Sequence, residues 1–300
     1  MARRAEAVGG GLVGLAAVQF GIVVVLGKLL LGAGMSVVAL LVFRYAIAAV
    51  LLVPVLVVLR RPVVAVPGER LWLVVLGAVG YSAESGMFFL ALTHGTAAAV
   101  TLLFFSYPVY VALAAWALGR GRPKRLLLAS LASGVAGAVI VVASSGRFEI
   151  EPLGVVFVVL SGMAYTAYLI AVEHYVRRTN PLTAAMWVSA SVAAGLLAAG
   201  LATGAMELPA RAADWASLTG IGLASAGAFV CLLAGLQRIG PVRTSIIAAA
   251  EPLAATFLAY TFLGERIGLG TAVGGFLIVI GAITASLARP APPAEEPPLP

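Results

Sequence analysis

The sequence predicts an all-α integral membrane protein, with ten transmembrane helices arranged as two inverted five-helix repeats. Three observations predict it. The composition is one that only lipid can solvate, ten apolar windows have membrane-crossing length, and basic residues alternate in register with those windows.

Of the 300 residues, 62% are hydrophobic and only 10% are charged, with a mean hydropathy of +1.09. A water-soluble domain carries roughly a quarter charged residues, so this chain could not cover a water-facing surface. In a bilayer the outward side chains are meant to be apolar, and the composition becomes sensible. The single cysteine, Cys231, lies in an apolar run and excludes a disulfide framework within the chain. Met1-Ala2-Arg3-Arg4 followed by an apolar stretch resembles a secretory leader, but the run continues to Leu31, a full crossing length, and more such runs follow. It reads as a retained first helix.

About 20 apolar residues cross the hydrocarbon core. Windows of that kind run over 12–31, 36–59, 70–92, 96–118, 124–144, 153–173, 182–201, 215–236, 243–262 and 268–288. They divide the chain into an N-terminal segment (1–11), a first repeat (12–144), a second repeat (153–288) and a tail (289–300). The tail holds six prolines in residues 290–300, plus Glu295 and Glu296, and is expected to form no packed element.

The charges test that division. With the N-terminus cytoplasmic, one face receives 14 of the 19 Lys and Arg residues: Arg3, Arg4, Arg60, Arg61, Arg70, Arg120, Arg122, Lys124, Arg125, Arg177, Arg178, Arg238, Arg243 and Arg289. The other face receives 3, namely Arg147, Arg211 and Arg266, while Lys28 and Arg44 fall within helices. This is the positive-inside pattern, with both termini in the cytoplasm of a plasma (inner) membrane. It also accounts for the net charge of +7 without nucleic acid.

The two halves resemble each other. Trp72 and Gly77 recur as Trp215 and Gly220. Thr101, Tyr107-Pro108-Val109, Arg122 and Gly137 recur as Ser245, Glu251-Pro252-Leu253, Arg266 and Gly281, and Leu118-Gly119-Arg120 as Leu263-Gly264-Glu265. A repeat of five helices enters the membrane upside down the second time, and inverted repeats commonly hold a midplane site between them.

An ionisable side chain at membrane depth costs at least ~2.5–3.5 kcal/mol, so each needs a partner or a purpose. Glu84 and Arg44 each lie eight residues from the same membrane face, about 12 Å deep at 1.5 Å per residue. They read either as a carboxylate-binding or gating site or as a static pair fixing the second and third spans. Tyr81 and Phe88 share the Glu84 face. Glu251 lies at similar depth beside Pro252, whose missing N–H frees a carbonyl and kinks the helix, as Pro108 does in the fourth span. Glu251 reads as a site for a substrate ammonium or a proton, or as a structural hydrogen bond to a neighbouring helix. Gln19, Tyr107, Tyr165 and Tyr168 are further candidate wall residues, and Thr101, Ser106, Ser161, Ser225 and Ser245 are mid-depth hydroxyls that also serve to glue helices. Lys28, near a helix end, reads as a snorkelling lysine or a ligand contact. His94 and His174 fall at opposite ends of helices, so no metal site is expected. Trp72, Trp116 and Trp215 fit an interfacial belt.

Together these residues resemble the drug/metabolite transporter superfamily, in particular its EamA-type ten-helix exporters, over roughly residues 12–288. Phe20-Gly21 followed by Lys28 is similar to that family's Trp-Gly…Lys pattern, with Phe in place of Trp. Arg44 matches a second-helix arginine, and Ala249-Ala250-Glu251-Pro252-Leu253 through Leu263-Gly264-Glu265 matches the closing Pro…Gly-Glu signature. In the first half this step reads Gly119-Arg120, so the acid is lost there. The Glu-Pro pair is similar to members that export threonine and homoserine. The resemblance implies a central cavity lined by helices 1, 3, 4, 6, 8 and 9. It also implies secondary transport of a small molecule without nucleotide hydrolysis. The acids at membrane depth make a proton a candidate coupling ion; no cofactor is expected, and a ten-helix repeat pair can work as a monomer or homodimer.

Other classes find less support. The chain has no P-loop and no long loop for an ATPase domain. The nearest run to Gly-x-Ser-x-Gly, Gly80-Tyr81-Ser82-Ala83-Glu84, lacks its last glycine, so an enzyme has no named nucleophile. A channel's charge rings or repeated filter are not evident, while a lipid-handling flippase stays open.

Overall fold

The computed structural model describes residues 2–118, 125–144, 150–209 and 211–288. The basic residues Arg120, Arg122, Lys124 and Arg147 and the proline-rich tail lie outside the described residues. The described chain is all-helical apart from one isolated antiparallel bridge, Gly95 to Ile150.

α1 is Ala2–Gly32, beginning ten residues before its apolar window because Arg3, Arg4 and Glu6 favour helix without favouring lipid. α2, Val37–Val58, is capped by Ser36, whose Oγ accepts from Ala39 N at 3.1 Å. α3, Pro67–Thr93, opens with a 3₁₀ turn and passes through a π-helical segment at Leu76–Tyr81. α4, Ala97–Phe104, and α5, Tyr107–Ala117, are separated by a turn. α6 is Arg125–Ser144, α7 is Pro152–Tyr175 and α8 is Pro181–Thr203, the last begun by Asn180 and ended by Gly204 at φ 70°. α9, Ala212–Ala248, breaks at Gly240 (φ 75°, ψ 170°). α10 is Glu251–Leu263 and α11 is Leu269–Ala288.

Among the described residues six helices are long and apolar enough to span a membrane: Glu6–Gly32, Val37–Val58, Pro67–Thr93, Pro152–Tyr175, Pro181–Thr203 and Ala212–Gly240. Shorter apolar helices fill the other windows. The fourth window appears as α4 and α5, and the ninth as the end of α9 followed by α10. In each case the interruption comes just before a proline, Pro108 or Pro252, which cannot donate into the preceding turn. Large side chains that face outward are apolar, such as Val79 at 66% and Phe257 at 66% exposure, as lipid-facing positions require.

α1 packs along α9, and α3 along α7; α2 packs on α8, and α6 on α11; α1 also meets α10, as α7 meets α4 and α5. This pairing is unchanged when each helix is exchanged for the one about 144 positions away. The same exchange holds at atomic detail. A Cβ added at Gly137 would lie 2.5 Å from Gly274 O, and one at Gly281 would lie 2.9 Å from Ser130 O. Only glycine allows these backbones to touch, the usual means of joining helices where no hydrophobic drive exists.

Candidate functional site

A cavity of about 440 Å³ lies inside the bundle, walled by α1, α3, α4, α5, α7, α9 and the start of α10, with Arg44 reaching in from α2 and Ala282 from α11. Among the described residues its charged groups are Arg44, Glu84 and Glu251. The π-helical segment of α3 carries Gly77 and Gly80, and Ser82 Oγ donates to Gly77 O at 3.0 Å. Such a segment shifts the phase of a helix. From its last residue onward, Tyr81, Glu84, Ser85 and Phe88 follow i, i+3, i+4, i+7 spacing and all line the cavity.

Arg44 is 6% exposed. Its Nε donates to Ser225 Oγ at 3.0 Å, and that hydroxyl donates to Ile221 O at 2.8 Å. The guanidinium carbon lies 4.6 Å from the Tyr45 ring centre and 5.4 Å from that of Phe89, so two aromatic faces support its charge. Glu84 is 7% exposed and accepts from Ser85 Oγ at 2.7 Å, while Ser85 Oγ lies 2.6 Å from Tyr45 Oη. Tyr45 therefore donates to Ser85, and Ser85 to Glu84. Among the described residues no ion pair joins Arg44 to Glu84. Both were candidates for such a pair, but each is held by a hydroxyl instead, leaving their charges facing the cavity. Glu251 is the first residue of α10, half-buried, and within coulombic range of Glu84 and Arg44.

Tyr107 and Tyr165 meet edge-to-face at 4.9 Å and both line the cavity. Tyr168 packs behind the wall, 4.9 Å from Tyr81 and 6.2 Å from Tyr165. Gln19 turns toward α9, where a Cβ on Gly227 would come within 2.4 Å of its Nε2, and it does not line the cavity. Ser161 donates to Glu84 O at 2.9 Å and Ser106 to Leu103 O at 2.7 Å, so both serve the backbone. The side chain of Ser245 lies outside the described residues. Phe20, Phe89, Phe104, Phe105 and Phe229 add aromatic wall. Of these, sequence reading noted only Phe20; the pair Phe104-Phe105 just before the Pro108 break was the available signal. Among the described residues no group of three His, Cys, Asp or Glu side chains stands ready for a metal.

The cavity extends from Arg44 and Glu84 toward Val13, Leu236 and Thr244, at the end of the bundle that carries the N-terminus of α1. The opposite end is closed around the turn between α3 and α4. Lys28 Nζ donates to Leu92 O and, at 2.7 Å, to Gly95 O. Lys28 is thus engaged by one carbonyl in the last turn of α3 and one in the turn that follows, rather than snorkelling. Glu265 accepts from Ala97 N at 2.7 Å and Ala98 N at 3.1 Å, capping α4. His94 Nδ1 lies 2.8 Å from Glu151 Oε2, and Glu151 N donates to His94 O at 2.8 Å. A cation at a helix C-terminus and an anion at a helix N-terminus both gain from the macrodipole. One turn is therefore held by three separate elements.

The profile of the EamA-like transporter family matches the chain twice, over residues 8–143 and 152–287. Among its relatives, an uncharacterized transporter YcbK of Bacillus subtilis (strain 168) is 28% identical over 194 residues, 62% of each chain. An uncharacterized transporter of Archaeoglobus fulgidus is 26% identical over 63% of this chain and 66% of that protein. YwfM of B. subtilis, likewise an uncharacterized transporter, is 24% identical over 72% and 73%. The match thus spans just under two thirds of the length of the first two relatives. A solved structure described only as a crystal structure of a protein superposes with a TM-score of 0.64, at 18% identity, over 91% of this chain and 96% of that one, which shows a shared fold.

Proposed function

Because the chain belongs to the EamA-like transporter family, we propose that it is a secondary transporter that exports a small amphiphilic metabolite, an amino acid or related compound, by alternating access. The observation that carries this reading is the cavity in which one cation, Arg44, and two acids, Glu84 and Glu251, face a shared space among aromatic rings. A substrate carboxylate is suited to Arg44. Its ammonium group, or a coupling proton, is suited to Glu251, and the rings take its apolar part.

The two family copies form ten spans in two inverted halves, since five crossings per copy reverse the second, and the exchangeable packing supports this. The charge alternation supports cytoplasmic termini in a plasma membrane. On that orientation the cavity extends toward the cytoplasm, and the Lys28–Glu265 closure is the outer gate. One chain supplies the whole described wall of the cavity, so a monomer suffices.

The test is counterflow in proteoliposomes with labelled amino acids, nucleosides and organic cations. Saturable exchange of amino acids or close relatives is expected. Exchange confined to nucleosides or organic cations, or none across the panel, would overturn the substrate assignment.

A further inference from the structure

A second cavity, of about 220 Å³, opens between α2, α8 and α9. It lies at the N-terminal end of the bundle, since a Cβ at Gly9 of α1 would sit 2.9 Å from Arg238 Cβ. Arg61, three residues past the end of α2, and Arg238, in the last turn before the Gly240 break, both line it. Among the described residues no carboxylate does. Three other arginines at this end are occupied elsewhere. Arg70 Nε donates to Ala65 O at 2.9 Å, Arg177 Nε to Glu173 O at 3.1 Å, and Arg243 pairs with Glu6 at 2.7 Å. Arg238 Nη1 reaches only Ala234 O of its own helix, at 2.7 Å, and Arg61 has no side-chain partner among the described residues. The start of α8 at Asn180–Pro181 adds the positive end of a 23-residue helix.

Apart from Gln237, the rest of the wall is apolar: Leu59, Leu182, Val230, Leu233 and Ala234. Val58 and Leu59 beside it are 79% and 51% exposed at the end of a membrane-length helix. Unneutralised positive charge against an apolar wall, at the depth where a spanning helix ends, fits a phosphate head joined to an acyl chain.

We propose that this cavity is a binding site for the headgroup of an anionic phospholipid, with Arg61 and Arg238 on its phosphate and an acyl chain along Val58, Leu59 and Val230. The lipid bridges α2 of the first family copy to α8 and α9 of the second. It sits one side chain away from the central cavity, because Leu233 lines both. The site does not depend on what the central cavity carries.

Native mass spectrometry of the full chain, with phosphatidylglycerol or phosphatidylcholine added, tests it. One phosphatidylglycerol is expected to be retained in preference to phosphatidylcholine. Combined Arg61→Gln and Arg238→Gln should weaken that retention about 30-fold, at roughly tenfold for every 1.4 kcal/mol. Combined Arg60→Gln and Arg178→Gln removes the same charge from the same end outside the cavity, and should change retention less than about twofold. Both pairs are exposed, and an unchanged melting temperature checks that both variants fold. Equal losses in the two variants, or no preference for phosphatidylglycerol, would overturn the site. Displacement of the lipid by an equal concentration of inorganic phosphate would overturn the lipid as its occupant.

Discussion

Glu265→Gln isolates the closure at the Lys28 end. The carboxylate accepts from Ala97 N and Ala98 N at 2.7 and 3.1 Å, and it also faces the Lys28 ammonium. Glutamine keeps one carbonyl acceptor and loses the charge, one hydrogen bond and the dipole interaction. A charge-assisted bond is worth about 1.5–3 kcal/mol and the dipole about 0.3–1 kcal/mol. Glu265 is only half-buried, so the lower end applies, about 1.5 kcal/mol, which is roughly tenfold in the closed-to-open ratio. The assay replaces the sole cysteine (Cys231→Ser) and installs Val24→Cys in the cavity wall. A membrane-impermeant maleimide is then added from the Lys28 face. Labelling should accelerate about tenfold in Glu265→Gln, and Lys28→Met should act in the same direction. A rate within twofold of the parent, with an unchanged melting temperature, would refute the gate.

Arg44→Lys removes the Nε bond to Ser225 and the flat cation between Tyr45 and Phe89 while keeping the charge. Exchange should fall about tenfold, mainly through KM, in proteoliposome kinetics. Gly77→Ala places a Cβ 2.7 Å from Val188 O and from Ser191 Cβ. It should cost about 1–3 kcal/mol by overpacking, seen as a lower melting temperature, while Gly86→Ala, with nothing within 4 Å, should be neutral. Glu69 accepts from the backbone N–H of Arg177, Arg178 and Thr179 at 2.8–2.9 Å. Glu69→Gln should destabilise the α7–α8 turn by about 1.5–3 kcal/mol, measured as a drop in melting temperature and faster proteolysis near Arg177.

Periodic information was legible in the sequence and contact information was not. The apolar windows mark the helices because lipid makes every outward residue report on its helix, and the interruptions sit where Pro108 and Pro252 stand. The Tyr81–Glu84–Phe88 stripe was readable because helical spacing alone brings those residues to one face. Arg44 meets Ser225 across 181 positions and Glu265 caps Ala97 across 168, and local spacing carries no trace of either. Lys28 was ambiguous for the same reason, since its carbonyl partners at Leu92 and Gly95 lie at the end of α3 and in the turn after it, remote in sequence. Gln19 is polar at mid-depth like the wall residues, but its side faces Gly227, a distinction set by the packing of α1 on α9.

The most direct test of the cavity as the transport site is counterflow by Glu251→Gln beside wild type, in proteoliposomes holding equal amounts of folded protein. The substitution keeps size and removes the charge that faces Arg44 and Glu84. Exchange reduced at least about tenfold, the cost of one lost charged interaction, is the expected result. Undiminished exchange with unchanged pH dependence would contradict a transport role for this carboxylate and move the site away from the cavity.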